Sequence, residues 1–133
     1  MTDFKTFSVR WAHRLLSVLR IISAFLLMQH GCQKLFGFPD TQHVAAIHLF
    51  SLLGLAAVLE LFGGFLLLIG LFTRPIAFIL SGLMAFAYFM AHAPRGFWPM
   101  MNNGELAVIL CFVFFYLSAA GGGSWSIDRL MRK

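Results

Sequence analysis

His30, Gln33 and Lys34 stand at i, i+3 and i+4, a spacing that puts all three on one face of a helix. Tyr88 and His92 form a second pair at i, i+4, and Glu105 follows Asn102 and Asn103 at the start of a later apolar stretch. These side chains donate hydrogen bonds, and the histidines exchange protons near neutral pH. A quinone headgroup needs donors of this kind for its two carbonyl oxygens at the end of an apolar channel. His30, Gln33, Lys34, Tyr88, His92, Asn103 and Glu105 are therefore the candidate ligand-binding cluster, and quinone is the cofactor they suggest. Plainer readings stand beside this one. An intramembrane histidine is often bonded to a neighbouring carbonyl, and a carboxylate in a first helical turn complements the helix dipole. The histidines match no metal or haem motif, so no metal is expected.

A second group lies deeper. Glu60 sits inside the apolar run 49–72, roughly 16–18 Å from either end at helical rise. A carboxylate there costs about 2.5–3.5 kcal/mol on insertion scales unless the protein supplies a partner. Arg20, roughly one and a half turns into the first apolar stretch, is long enough to reach toward Glu60 or to snorkel to the headgroups. The expectation is an intramembrane ion pair, Arg20 with Glu60, either as structural glue or as part of a proton or ligand path. Gly63 and Gly64, within a turn of Glu60, let helices approach closely in lipid and turn Glu60 toward the bundle.

The elements that must position these groups follow from composition. The chain has 133 residues, of which 60% are hydrophobic and only 11% charged, against about 25% charged in an ordinary soluble domain. Mean hydropathy is +0.85. A single all-α membrane domain over residues 1–133 is expected, a transmembrane four-helix bundle with spans at about 15–36, 49–72, 76–93 and 105–120. Thr73-Arg74-Pro75 closes a tight hairpin between the second and third spans, and Gly121–Gly123 ends the fourth. The N-terminus does not read as a cleaved signal peptide, because its apolar stretch is long and ends in HGCQKLFG.

The net charge of +5 reports topology rather than nucleic acid. Lys5, Arg10, Arg14, Arg74, Arg129, Arg132 and Lys133 fall on one side, and Lys34 and Arg95 on the other. Both termini are therefore expected in the cytoplasm of a bacterium, with the chain multi-pass in the plasma (inner) membrane. Trp11 and Trp125 suit the inner aromatic belt and Trp98 the outer one. Cys32 and Cys111 form no CxxC and read as small buried hydrophobes. Most of the sixteen phenylalanines are expected to face lipid.

In these residues the chain resembles the DoxX family over nearly its whole length. The resemblance is carried by Leu19-Arg20, by His30-Gly-Cys-Gln33-Lys34-Leu-Phe-Gly37, and by Glu60-Leu-Phe-Gly63-Gly64 with Gly70-Leu-Phe-Thr-Arg74-Pro75. It continues through Ala87-Tyr88-Phe89-Met90-Ala91-His92, Gly96-Phe97-Trp98-Pro99, Asn103-Gly104-Glu105 and Gly123-Ser-Trp125-Ser-Ile-Asp128. It implies a small four-helix membrane protein. Some family members are subunits of thiosulfate:quinone oxidoreductases, others associate with redox defence, and distant relatives act in membrane-protein assembly.

Two functional readings result. In the first, the chain binds quinone or another lipid-soluble ligand and works with a redox partner subunit. The His/Lys/Tyr/Glu cluster contacts the headgroup, while Arg20 and Glu60 hold the bundle open or relay protons. With no nucleotide-binding glycine motif, the redox carrier would be a quinone or the partner. In the second, the chain is a non-catalytic scaffold or assembly factor. Its polar groups then specify packing, and the connections 37–48 and 95–104 serve as partner surfaces. The glycine-rich second span is compatible with a homo-oligomer.

Overall fold

A computed structural model describes residues 2–38 and 51–132 of the chain. The connection 37–48, expected as a partner surface, falls mostly outside the described residues, as do positions 49, 50 and 133. The described residues form helices joined by short turns, with no strand among them. Helix α1 spans Thr2–Phe36, α2 spans Leu52–Ile69 and α3 spans Thr73–Arg95. A single turn, α4, covers Pro99–Asn102. Helix α5 is Glu105–Ala120 and α6 is Ile127–Met131.

Among the described residues three helices, α1 to α3, are long and apolar enough to cross a membrane. Helix α5 is apolar but has 16 residues, about 24 Å at helical rise.

Helix α1 begins well before the apolar stretch at residue 15. Its 35 residues run about 52 Å, more than the ~30 Å hydrocarbon core requires. The extra turns carry Lys5, Arg10 and Arg14 together with exposed Phe4, Phe7 and Trp11. The Arg14 guanidinium lies 5.2 Å from the Trp11 ring centre. Apolar and basic groups mixed in this way suit an interfacial helix.

Glycines and caps set the other boundaries. Gly37, in the left-handed region at φ 70°, donates its N–H to the Gln33 carbonyl at 3.0 Å and ends α1. Ser51 caps α2 by accepting the Gly54 N–H at 3.1 Å. Gly70, at φ 73°, closes α2, and the chain turns into α3 within three residues.

Inside the bundle the usual soluble pattern is inverted. Buried positions are often small, including Ser17, Ser23, Ala24, Ala57, Gly63, Gly64, Ala77 and Ser81. Large apolar side chains such as Phe25, Phe62, Phe65, Phe78, Phe86, Phe112 and Phe115 point outward. In lipid, tight backbone approach replaces the hydrophobic drive between helices. The core joins Ala24 and Leu27 of α1, Leu67 of α2, Ala77, Leu80 and Met84 of α3, and Leu110, Phe114 and Leu117 of α5. Helices α3 and α5 pack closely along their length, as α1 and α2 do, and between α3 and α5 the buried Ser81 hydroxyl donates to the Cys111 carbonyl at 2.7 Å.

Candidate functional site

Glycine contacts fix how α1 and α2 register, and that register decides which charges meet. A Cβ on Gly31 would lie 2.8 Å from the Leu61 nitrogen and 3.0 Å from the Ala57 carbonyl oxygen. One on Gly64 would lie 2.6 Å from Met28 Cγ, and one on Gly70 would lie 3.0 Å from the Arg20 guanidinium carbon. The helices run antiparallel, with Gly31 opposite 57–61 and Arg20 opposite Gly70. Arg20 therefore lies roughly 15 Å along the axis from the level of Glu60.

The expected Arg20–Glu60 ion pair does not form. Depth along one helix says nothing of its register against another, and the register here puts Lys34 at Glu60 instead. Lys34 Nζ lies 2.7 Å from Glu60 Oε1. Glu60 is 3% exposed, and its second oxygen, Oε2, is buried with no hydrogen-bond partner among the described residues. The carboxylate stands on a π-helical turn, Leu59–Gly63, inside α2. Such single-turn bulges recur at functional sites. The centre sets an ammonium donor beside a buried carboxylate oxygen with no described partner, a pair of groups that matches a headgroup with both a carbonyl and a hydroxyl.

Arg20 does different work at the opposite end of the bundle. It is 1% exposed. Its Nη1 donates to the Gly122 carbonyl, and its Nη2 to the carbonyls of Trp125 at 2.7 Å and Leu68 at 3.4 Å. Ser17, one turn earlier, donates to the Gly122 carbonyl at 3.0 Å and accepts the Trp125 N–H at 2.9 Å. A Cβ on Gly122 would come within 3.1 Å of Arg20 Nη1, so the close approach needs glycine. Arg20 and Ser17 thus strap the 122–125 segment across the bundle.

A third polar centre joins α3 to α4. Tyr88, buried on a second π turn, Tyr88–His92, donates its hydroxyl to the Phe97 carbonyl. The buried Asn102 amide donates to the Gly96 carbonyl at 2.7 Å and the Tyr88 hydroxyl at 3.2 Å, and its oxygen accepts the Gly104 N–H at 2.9 Å. His92 Nδ1 donates to the Asn102 carbonyl at 3.0 Å. The Tyr88 and His92 rings lie 6.3 Å apart, stacked at 24°. The described bonds of Tyr88 and His92 therefore go to their own loop.

The other cluster members stand apart. His30 and Glu105 are exposed, Gln33 and Lys34 are half-buried, and Asn103 is an exposed turn residue at φ 60°. No described contact joins His30, Gln33 or Glu105 to Tyr88 or His92. The buried amide is Asn102, not Asn103. Its sequence signal was the Asn-Asn-Gly turn itself, where one amide takes the left-handed position and the other turns inward.

Asp128 of α6, which composition did not single out as a site, accepts the N–H groups of Phe72 at 2.8 Å and Thr73 at 2.9 Å. Burial raises its carboxyl. Hydrogen bonds from Thr73 and Phe72, with the nearby Arg132 charge, outweigh that and hold it below the ordinary value.

A family model described as DoxX matches residues 15–93. An uncharacterized protein of Haemophilus influenzae is 42% identical over 119 residues, covering 86% of this chain and 88% of that protein. The Escherichia coli protein named "Inner membrane protein YqjF" is 31% identical, covering 87% of this chain and 91% of its own length. The Bacillus subtilis protein named "Putative oxidoreductase CatD" is 27% identical, covering 87% and 86% respectively. No solved structure matches.

Proposed function

The chain belongs to the DoxX family and is a multi-pass protein of the bacterial inner membrane, and from that premise we propose that it binds a quinone or similar lipid-soluble headgroup at the Lys34–Glu60 centre and works with a redox partner. The observation that carries this reading is Glu60 Oε2, a carboxylate oxygen buried without a hydrogen-bond partner among the described residues. An unmet buried acceptor costs about 1–3 kcal/mol or more when charged, and a ligand hydroxyl removes that cost. Lys34 Nζ is placed to donate to a ligand carbonyl while neutralising Glu60. When bound, a quinone supplies a reversible electron and proton couple. The residues supply orientation, and Glu60 a place to hold a proton. The name of the Bacillus subtilis relative fits this reading. In this proposal α5 is the fourth span, both termini face the cytoplasm, and His30 and Glu105 lie toward the other face.

The test is the quinone content of the protein purified in mild detergent, by absorbance and mass after extraction. The folded wild type is expected to carry quinone. Glu60→Gln and Lys34→Met should each lower it about tenfold, as loss of a charge-assisted hydrogen bond implies, while Glu105→Gln leaves it unchanged. Folded wild type without quinone overturns the proposal.

The non-catalytic scaffold is the second reading. It is favoured by the way Arg20, Tyr88, His92 and Asn102 spend their hydrogen bonds inside the chain.

A further inference from the structure

We propose that a basic cavity at the Arg20 end of the bundle binds the phosphate of one anionic phospholipid. The cavity holds about 650 Å³ and is lined by His13, Arg74, Arg129 and Arg132, with Gly122, Gly123 and Ser124 between them. Three guanidiniums and an imidazole converge there from four elements: α1, the start of α3, the end of α6 and the segment just beyond it. No acidic side chain lines the cavity. Asp128, which faces Arg132 from outside the cavity, has no described hydrogen bond with Arg129 or Arg132 and accepts the amides of Phe72 and Thr73 instead.

Two features suit a phosphate diester. Guanidiniums bind phosphate oxygens in bidentate fashion, and the only hydrogen bond described for Arg74 uses Nε, to the Ala119 carbonyl at 3.3 Å. The glycine-rich segment leaves backbone rather than side chains along one wall, because Gly122 and Gly123 are hemmed by Ser126, Arg20 and Ser17 on their inner side.

Position selects the source of the phosphate. The cavity lies level with Thr73 and Ala120, where two apolar helices begin and end. Beside it Phe72, Trp125, Leu130 and Met131 expose large apolar surfaces. A lipid could seat its headgroup among the arginines and lay its chains on these side chains. Basic pockets between membrane helices bind anionic headgroups in this way. The site is separate from Lys34–Glu60 and does not depend on the quinone reading.

The full-length protein in mild detergent, titrated with phosphatidylglycerol, phosphatidylcholine or sodium phosphate, tests the proposal by native mass spectrometry and thermal unfolding. One phosphatidylglycerol is expected to be retained per chain in preference to phosphatidylcholine, with a rise in unfolding temperature. Arg74→Gln/Arg129→Gln/Arg132→Gln should weaken retention about tenfold or more. Lys5→Gln/Arg10→Gln/Arg95→Gln removes equal charge elsewhere and should not. Arg129 on the short α6 and Arg132 just beyond it are exposed, so Arg129→Gln/Arg132→Gln keeps the fold if the triple variant does not, and should weaken retention in the same direction. Equal retention of both lipids, equal loss in both charge variants, or stabilisation by sodium phosphate without lipid overturns the proposal.

Discussion

Arg20 and Glu60 show how far single residues can be read from sequence. Each was legible as a buried charge in need of a partner, because an ion inside an apolar run has few inexpensive fates. Their partners were not legible, since pairing depends on how two helices slide past one another. Gly31 on Leu61 and Gly70 on Arg20 set that slide, and Lys34 rather than Arg20 arrives at Glu60. Arg20 instead satisfies three backbone carbonyls, an arrangement no side-chain pattern announces. The planar guanidinium fork is what lets one side chain serve all three. Arg20→Met should therefore leave buried acceptors unpaired, at roughly 1–3 kcal/mol each. Arg20→Lys should recover little, because an ammonium on a shorter reach cannot span Leu68, Gly122 and Trp125 together. Thermal unfolding in detergent checks both. If Arg20→Lys matches the wild type, the strap depends on charge alone.

At the scale of elements, the helices were largely legible and their irregularities were not. A break between α2 and α3 and the stop at Gly121 follow from backbone chemistry any sequence displays. The turn itself is Gly70–Phe72, and Thr73-Arg74-Pro75, expected to form it, is the first turn of α3, where proline is tolerated. The π turns at Leu59–Gly63 and Tyr88–His92 have no composition signal, yet each carries a polar group of a candidate site. Glycines in lipid serve close approach within a chain or between chains, and composition does not separate the two. In the structure Gly31, Gly63 and Gly64 are used within the chain, against Leu61, Leu80 and Met28. Two substitutions separate packing glycines from incidental ones. Gly31→Ala puts its methyl 2.8 Å from a backbone nitrogen, which no rotamer change relieves, so α1 must move off α2. It should lower the unfolding temperature and loosen the Lys34–Glu60 contact. Gly82→Ala meets nothing within 4 Å and sits inside α3, so it should be neutral or gain up to about 1 kcal/mol from helix propensity. A larger loss from Gly82→Ala than from Gly31→Ala would show the α1–α2 seam to be misassigned.

For the molecule as a whole, the C-terminal segment closes the bundle, tying α1 through Ser17 and Arg20 and the α2–α3 turn through Asp128. From sequence, Trp125 reads as an interfacial aromatic and Asp128 only as one carrier of a resemblance. The sequence could not show that 122–131 folds back, because the docking contacts are mostly backbone groups, which every sequence carries alike. Asp128 makes that closure sensitive to acid. Its folded carboxyl titrates below the ordinary value of 3.8 because Thr73 and Phe72 donate to its ionised form. A depressed carboxyl contributes stability that is fully present above its unfolded pKa and is lost as pH falls through the folded one. Asp128→Asn removes the titration and leaves one acceptor for two amides, costing about 1 kcal/mol as a cap. The unfolding-temperature gap between wild type and Asp128→Asn should therefore be constant from pH 7 to about pH 5, then narrow as pH falls through the acid range below 3.8. Comparing the two proteins cancels the other carboxylates, which titrate in both. A gap that widens on acidification would mean that Asp128 is destabilised by its surroundings, and that the tail is held by Arg20 and Ser17 alone.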